Sequence, residues 1–123
     1  MNIKEVSQTL HLSAESIRYY EKEKLITIAR NTSGYRDFSE ENIERLHFLK
    51  KMREAGVGIK ALKSYCSLLD DNKNHDIEQK MLLIKEREIA RAKIAKMQEA
   101  LDYLDWKIEG YYRRVKVLGD KSE

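Results

Sequence analysis

Apolar residues recur along this chain at steps of three and four, and the steps change twice. Ile3, Val6 and Leu10 stand at helical spacing, with Leu12 closing the turn behind them. Ser13 then reads as an N-cap ahead of the helix formers from Ala14 to Lys22, because its hydroxyl can accept from an orphan N–H of the first turn. On that short helix Ile17 is predicted to face inward alone, which leaves Ser16, Arg18, Tyr19 and Tyr20 showing. After Leu25 and Ile26, the runs Thr27 to Ala29 and Tyr35 to Phe38 look like short strands around the turn residues Asn31, Ser33 and Gly34.

Helical spacing returns behind Ser39, where Glu40 and Glu41 complement a positive helix end. Ile43, Leu46, Leu49 and Met52 form its core face, and Ala55-Gly56-Val57-Gly58 stops it. A fourth helix from Ile59 to about Asp70 carries Ile59, Leu62, Cys66 and Leu69 on one side. Asp71 to His75 is polar and turn-like, a hinge into the last element.

From Asp76 to Leu118 only Gly110 interrupts a helical reading. Leu83, Arg87, Ala90, Ile94, Met97, Leu101, Leu104, Ile108, Tyr111, Val115 and Leu118 alternate steps of four and three, a heptad seam. A helix of that length, over about 60 Å at 1.5 Å per residue, cannot bury its seam against a head of some seventy residues. A second copy of the chain is the simplest partner. Tyr103, Trp106 and Tyr112 lie off the seam, either shielding the coiled coil's flank or meeting the partner's head. The expected division is a head at 1–71, a hinge at 72–75, a dimerisation helix at 76–118 and a tail at 119–123.

Composition narrows the picture. Across 123 residues there is no proline, and 37% of the residues are charged, which favours a helical protein with long solvated faces. The net charge of +3 sets 24 basic against 21 acidic residues, so affinity for a polyanion must come from local placement. A single cysteine excludes an internal disulfide, no apolar run spans a bilayer, and no signal-peptide core is present, so cytoplasmic residence is expected.

The helix after Ser13 and the hairpin behind it hold parts suited to a DNA duplex. Arginine pairs with phosphate or, bidentately, with guanine; tyrosine hydroxyls reach phosphates while their rings pack on sugars and thymine methyls. Ser16, Arg18, Tyr19 and Tyr20 would serve in the groove, and Arg30, Tyr35 and Arg36 on the wing beside it. The same helix also reads as a surface helix whose tyrosines cover a neighbour.

The order S-x-x-S-I-R-Y-Y-E, then L-I, then R-N-T-S-G-Y-R-D-F resembles the MerR family of bacterial transcription regulators over roughly the first seventy residues. The resemblance implies a mainly α fold: a winged helix-turn-helix head followed by a long dimerisation helix paired as an antiparallel coiled coil. It also implies binding to a palindromic promoter site, distortion of the spacer DNA, and RNA polymerase as a partner. Lys60, near a helix N-terminus, becomes a candidate phosphate contact by the same resemblance; a solvated lysine is the plainer alternative. The chain departs from the family at two turns, where Lys24 and His11 stand in place of the usual glycine. If both sites are left-handed, each costs on the order of 1 kcal/mol.

Other chemistry is thin. Soft-metal sensing needs several thiolates, and only Cys66 is present; His11, His47 and His75 fall in separate elements. Neither a metal nor another cofactor is expected. Cys66 is a candidate effector thiol, although its place on an apolar helix face suits a buried small hydrophobe. No large ligand domain is expected after the long helix, so a small-molecule effector, if there is one, is expected between that helix and the opposite subunit's head; no catalytic constellation appears, so an enzyme is not expected. Two other readings remain: a protein-interaction module built on the long helix, and an architectural DNA factor of the excisionase type.

Overall fold

The chain alternates helices with one small hairpin, in the order α1 (Ile3–Leu10), α2 (Ala14–Lys22), β1 (Ala29–Arg30), β2 (Arg36–Asp37), α3 (Glu40–Glu54), α4 (Ile59–Asp70) and α5 (Asp76–Lys121). The structure is a computed structural model that describes the backbone of residues 1–121 and the side chains of residues 1–115. The side chain of Leu118 lies outside the described residues, as do the side chains of the 119–123 tail. The fold is mainly helical, a winged helix-turn-helix with a long C-terminal helix.

The first three head helices each start on a polar cap. Asn2 accepts from the Glu5 N–H, Ser13 from that of Ser16, and Ser39 and Asn42 cap each other reciprocally ahead of α3. Three of the head helices also stop in the same way. His11 (φ 53°), Lys24 (φ 62°) and Gly56 (φ 86°) turn left-handed. The next residue in each case, Leu12, Leu25 or Val57, donates its N–H to the carbonyl five residues back at 3.0–3.1 Å. That closure satisfies the last carbonyls and turns an apolar residue into the core. The two positions where glycine was missing are therefore left-handed.

Those turns fold the head onto one core. Val6, Ile17, Leu25, Leu46, Leu49 and Leu62 are fully buried, with Tyr20, Ile26, Ile28, Phe38, Val57 and Cys66 beside them. Two details differ from the sequence reading. Ile17 does not face inward alone: Tyr20 lies three residues on, on the same face of the helix, and is buried with it. The ladder is also shorter and shifted, pairing Ala29 with Asp37 and Arg30 with Arg36, because Ile28 and Phe38 leave the hairpin to enter the core. On α4, Leu69 is exposed and Leu68 half-buried.

Met1–Ile84 forms one compact unit and the chain from Lys85 a second. In the second unit the described apolar side chains of α5 are exposed, except that of Ala90, which is half-buried. Gly110 does not interrupt the helix.

Candidate nucleic-acid interface

α2 is held by its cap and its buried stripe, and its remaining face is solvent-exposed. The Ser13 hydroxyl donates to the Ser16 hydroxyl at 2.8 Å while accepting from the Ser16 N–H at 3.0 Å, which fixes Ser16 in the first turn. Arg18 and Tyr19 are exposed. Arg18 makes no ion pair among the described residues, so its guanidinium keeps its full hydrogen-bonding capacity. Tyr20 does not share that face. Its ring packs in the core 6.1 Å from that of Tyr19, and burial pushes its phenol upward while Arg53 pulls it back. Of the four candidates on this helix, Tyr20 is therefore a core residue whose polar tip meets Arg53.

Arg53 was not legible in the sequence. It stands on the last turn of α3, donates from Nη1 to the Val57 carbonyl at 3.0 Å, and lines a hollow of about 290 Å³ with Glu15, Ser16, Tyr19 and Tyr20. A basic residue so near a helix C-terminus reads as a dipole partner, and nothing in the sequence places it beside α2.

The wing is built on Asn31. Its side-chain oxygen accepts from the N–H groups of Ser33 and Tyr35 at 2.9 and 3.0 Å, its own N–H donates to the Tyr35 carbonyl, and Gly34 supplies the left-handed turn (φ 84°). Tyr35 is 71% exposed at the tip. Behind it Arg30 and Arg36 sit directly opposite one another, and both reach Glu21 of α2. Arg36 donates from Nε to Oε1 at 2.9 Å, and the Arg30 guanidinium lies 3.6 Å from the same oxygen. A cleft of about 520 Å³ between the wing and the N-terminus is lined by both arginines, Asn31, Tyr35 and the Met1–Ile3 segment.

Lys60 is exposed in the first turn of α4 and makes no ion pair among the described residues. Gly58 caps that helix without a side-chain hydrogen bond, which leaves first-turn N–H groups for an anion. Ser16, Arg18, Tyr19, Arg30, Tyr35 and Arg36 all lie on α2 or the hairpin within the compact head, and Lys60 lies on α4 of that unit.

The sensing candidates read differently. Cys66 is buried, and burial pushes its thiol up, with Arg45 opposing; that is the environment of an inert thiol. Among the described residues no group of three His, Cys, Asp or Glu side chains is placed to hold a metal ion. Nor is any described helix long and apolar enough to cross a membrane.

A sequence profile described as MerR HTH family regulatory protein matches residues 1–69. The chain belongs to the MerR family. The regulator AdhR of Bacillus subtilis is 39% identical over 89 residues, covering 72% of this chain and 64% of AdhR, so the match spans just under two thirds of that relative's length. A crystal structure of a protein from Listeria monocytogenes, assigned to the MerR transcriptional regulators, superposes with a TM-score of 0.82 at 44% identity, over 90% of this chain and 85% of that one. HiNmlR, a MerR regulator lacking the sensor domain and bound to promoter DNA in its crystal structure, shares the fold with a TM-score of 0.80 at 23% identity, over 97% and 90% of the two chains. These MerR relatives are transcriptional regulators rather than enzymes.

Proposed function

We propose that this MerR-family chain is a homodimeric, sequence-specific DNA-binding regulator. Each head sets α2 into a major groove of a palindromic promoter site. The single observation that carries the reading is the pairing, within one compact unit, of an exposed, unpartnered Arg18 and exposed Tyr19 with a wing that presents Tyr35 and two arginines. Arg18 reads base edges, Ser16 and Tyr19 flank it, and the wing that carries Arg30, Tyr35 and Arg36 lies against the adjacent backbone. Lys60 and the open first turn of α4 take a further phosphate.

The seam residues Leu83, Ala90, Ile94, Met97, Leu101, Leu104, Ile108, Tyr111 and Val115 bring a second copy alongside in an antiparallel coiled coil over 76–118. That helix fixes the distance between the two heads and hence the half-site spacing. HiNmlR supports the reading by its fold and by the promoter DNA in its crystal structure. The mechanism drawn from the family is distortion of the spacer so that RNA polymerase engages both promoter elements. Several kcal/mol of DNA deformation are met by contacts on both flanks.

Two substitutions test the division of labour. Arg18→Ala is expected to cost about 1–3 kcal/mol on the operator and to relax base preference. Lys60→Ala is expected to weaken all sequences alike and to flatten the salt slope by about 0.9. Operator affinity unchanged by Arg18→Ala would remove α2 as the reading helix.

A further inference from the structure

Arg30 and Arg36 face each other across the two-residue ladder. Like charges directly opposed on neighbouring strands repel, so this hairpin is unfavourable by itself. One carboxylate answers both: Glu21, on the last turn of α2, lies 2.9 Å from the Arg36 Nε and 3.6 Å from the Arg30 guanidinium. The two arginines are not equivalent. Arg36 and Glu21 are only 21% and 22% exposed, and their contact is a directed hydrogen bond, whereas Arg30 is 46% exposed and held by proximity. The described residues give Glu21 no other ionic partner. Two guanidiniums with one carboxylate leave one positive charge uncompensated, and that charge belongs to the looser, outer arginine.

We propose that Glu21 is a positioning residue of the DNA interface: its carboxylate locks Arg36 as a strut between α2 and the wing, and holds Arg30 ready for a backbone phosphate. This rests on the DNA-binding reading above. A negative side chain beside the groove opposes a polyanion, so its value lies in setting the angle between the reading helix and the wing. On binding, the phosphate takes the second counter-ion place beside Arg30 while the Arg36 contact persists. Arg36 is thereby reassigned from a backbone contact to a strut, and the wing contributes one cationic phosphate contact instead of two.

The test is a double-mutant cycle on the selected operator, with circular-dichroism melts confirming that every variant is folded. Wild type is first compared on operator and random duplex; no preference would sink the DNA-binding reading itself, and this proposal with it. Given a preference, Glu21→Ala is expected to weaken operator binding about tenfold in the wild-type background and less than twofold alongside Arg36→Ala. Glu21→Gln, which keeps an oxygen for the Arg36 Nε, is expected to restore most of the affinity. Arg30→Ala is expected to lower the salt slope by about 0.9. If Arg36→Ala fails to fold, Arg36→Lys serves as the background, since it keeps the charge and loses the Nε donor. Equal losses from Glu21→Ala in both backgrounds, or tighter binding by Glu21→Ala, would overturn the proposal.

Discussion

The compact unit Met1–Ile84 and the α5 residues beyond it use the same vocabulary of apolar residues at steps of three and four, with opposite results. In the head, Val6, Ile17, Leu25, Leu46, Leu49 and Leu62 are fully buried by contacts within the chain. On α5, Ile94 and Met97 are 69% and 71% exposed, and Leu101, Leu104, Ile108, Tyr111 and Val115 are exposed with them. A monomer rarely leaves so continuous an apolar stripe open to water. The head thus has its own core, while the apolar stripe of α5 is left for the second copy in the proposed dimer. The contrast separates the two jobs of the proposed regulator: the first unit reads, and the second sets how far apart two readers stand.

The largest expected effect falls on the closed core. Leu46→Ala removes a fully buried side chain and is expected to cost about 2–5 kcal/mol in a urea titration; a loss below 1 kcal/mol would mean that the head core is looser than described. Next comes the open stripe. Leu101→Asp with Leu104→Asp is expected to convert the full chain to a monomer by sedimentation and to weaken operator binding at least about 100-fold through loss of linked half-sites. A variant that stays dimeric would move the interface off the seam.

Smaller effects sharpen the picture of the head's turns. Lys24 adopts φ 62°, where glycine carries no steric cost. Lys24→Gly is expected to raise stability by about 0.5–1 kcal/mol, the strain relieved less the backbone freedom added to the unfolded chain. Destabilisation in a melt would show that the lysine has a compensating role in that turn.

The smallest effect concerns the junction into α5. The His75 Nδ1 lies 3.0 Å from the Glu78 carboxylate and its Nε2 2.8 Å from that of Asp71. Both nitrogens donate only when the ring is charged. The bond to Glu78, then that to Asp71, raises the His75 pKa, while the bond from His75 lowers that of Asp71. The histidine contribution is therefore complete below its unfolded pKa and lost as pH rises through the raised folded value. The Asp71 contribution is lost as pH falls through its lowered value. Hydrogen exchange in the first turn of α5 is expected to be slowest between those two values and to lose its alkaline limb in His75→Gln; identical profiles would dissociate the ring from the junction.

Much of the head was legible because its signals are local. Ser13 and Ser39 announce helix starts, Asn31 and Gly34 announce a turn, and the apolar steps announce α1, α3 and α4. Long-range relations were not. Nothing in R-Y-Y-E says that the second tyrosine turns into the core, because exposed and buried tyrosines share the same helix-forming neighbours and only the packed partners decide. Glu21 looked like an ordinary solvated acid, and its tie to both wing arginines spans 9 and 15 residues of sequence. Arg53 met Tyr20 across a distance that helical spacing cannot encode. The left-handed turns at His11 and Lys24 were legible only through the family resemblance, since neither residue type demands that conformation.

The most direct test of the central claim is selection of bound sites from random duplex DNA, with the mass of the selected complex determined in solution. An inverted repeat bound by two chains is expected, with half-site spacing lost in the Leu101→Asp, Leu104→Asp variant. A single unrepeated site bound by one chain, or no enriched sequence at all, would contradict it and turn the exposed face of α5 toward a protein partner.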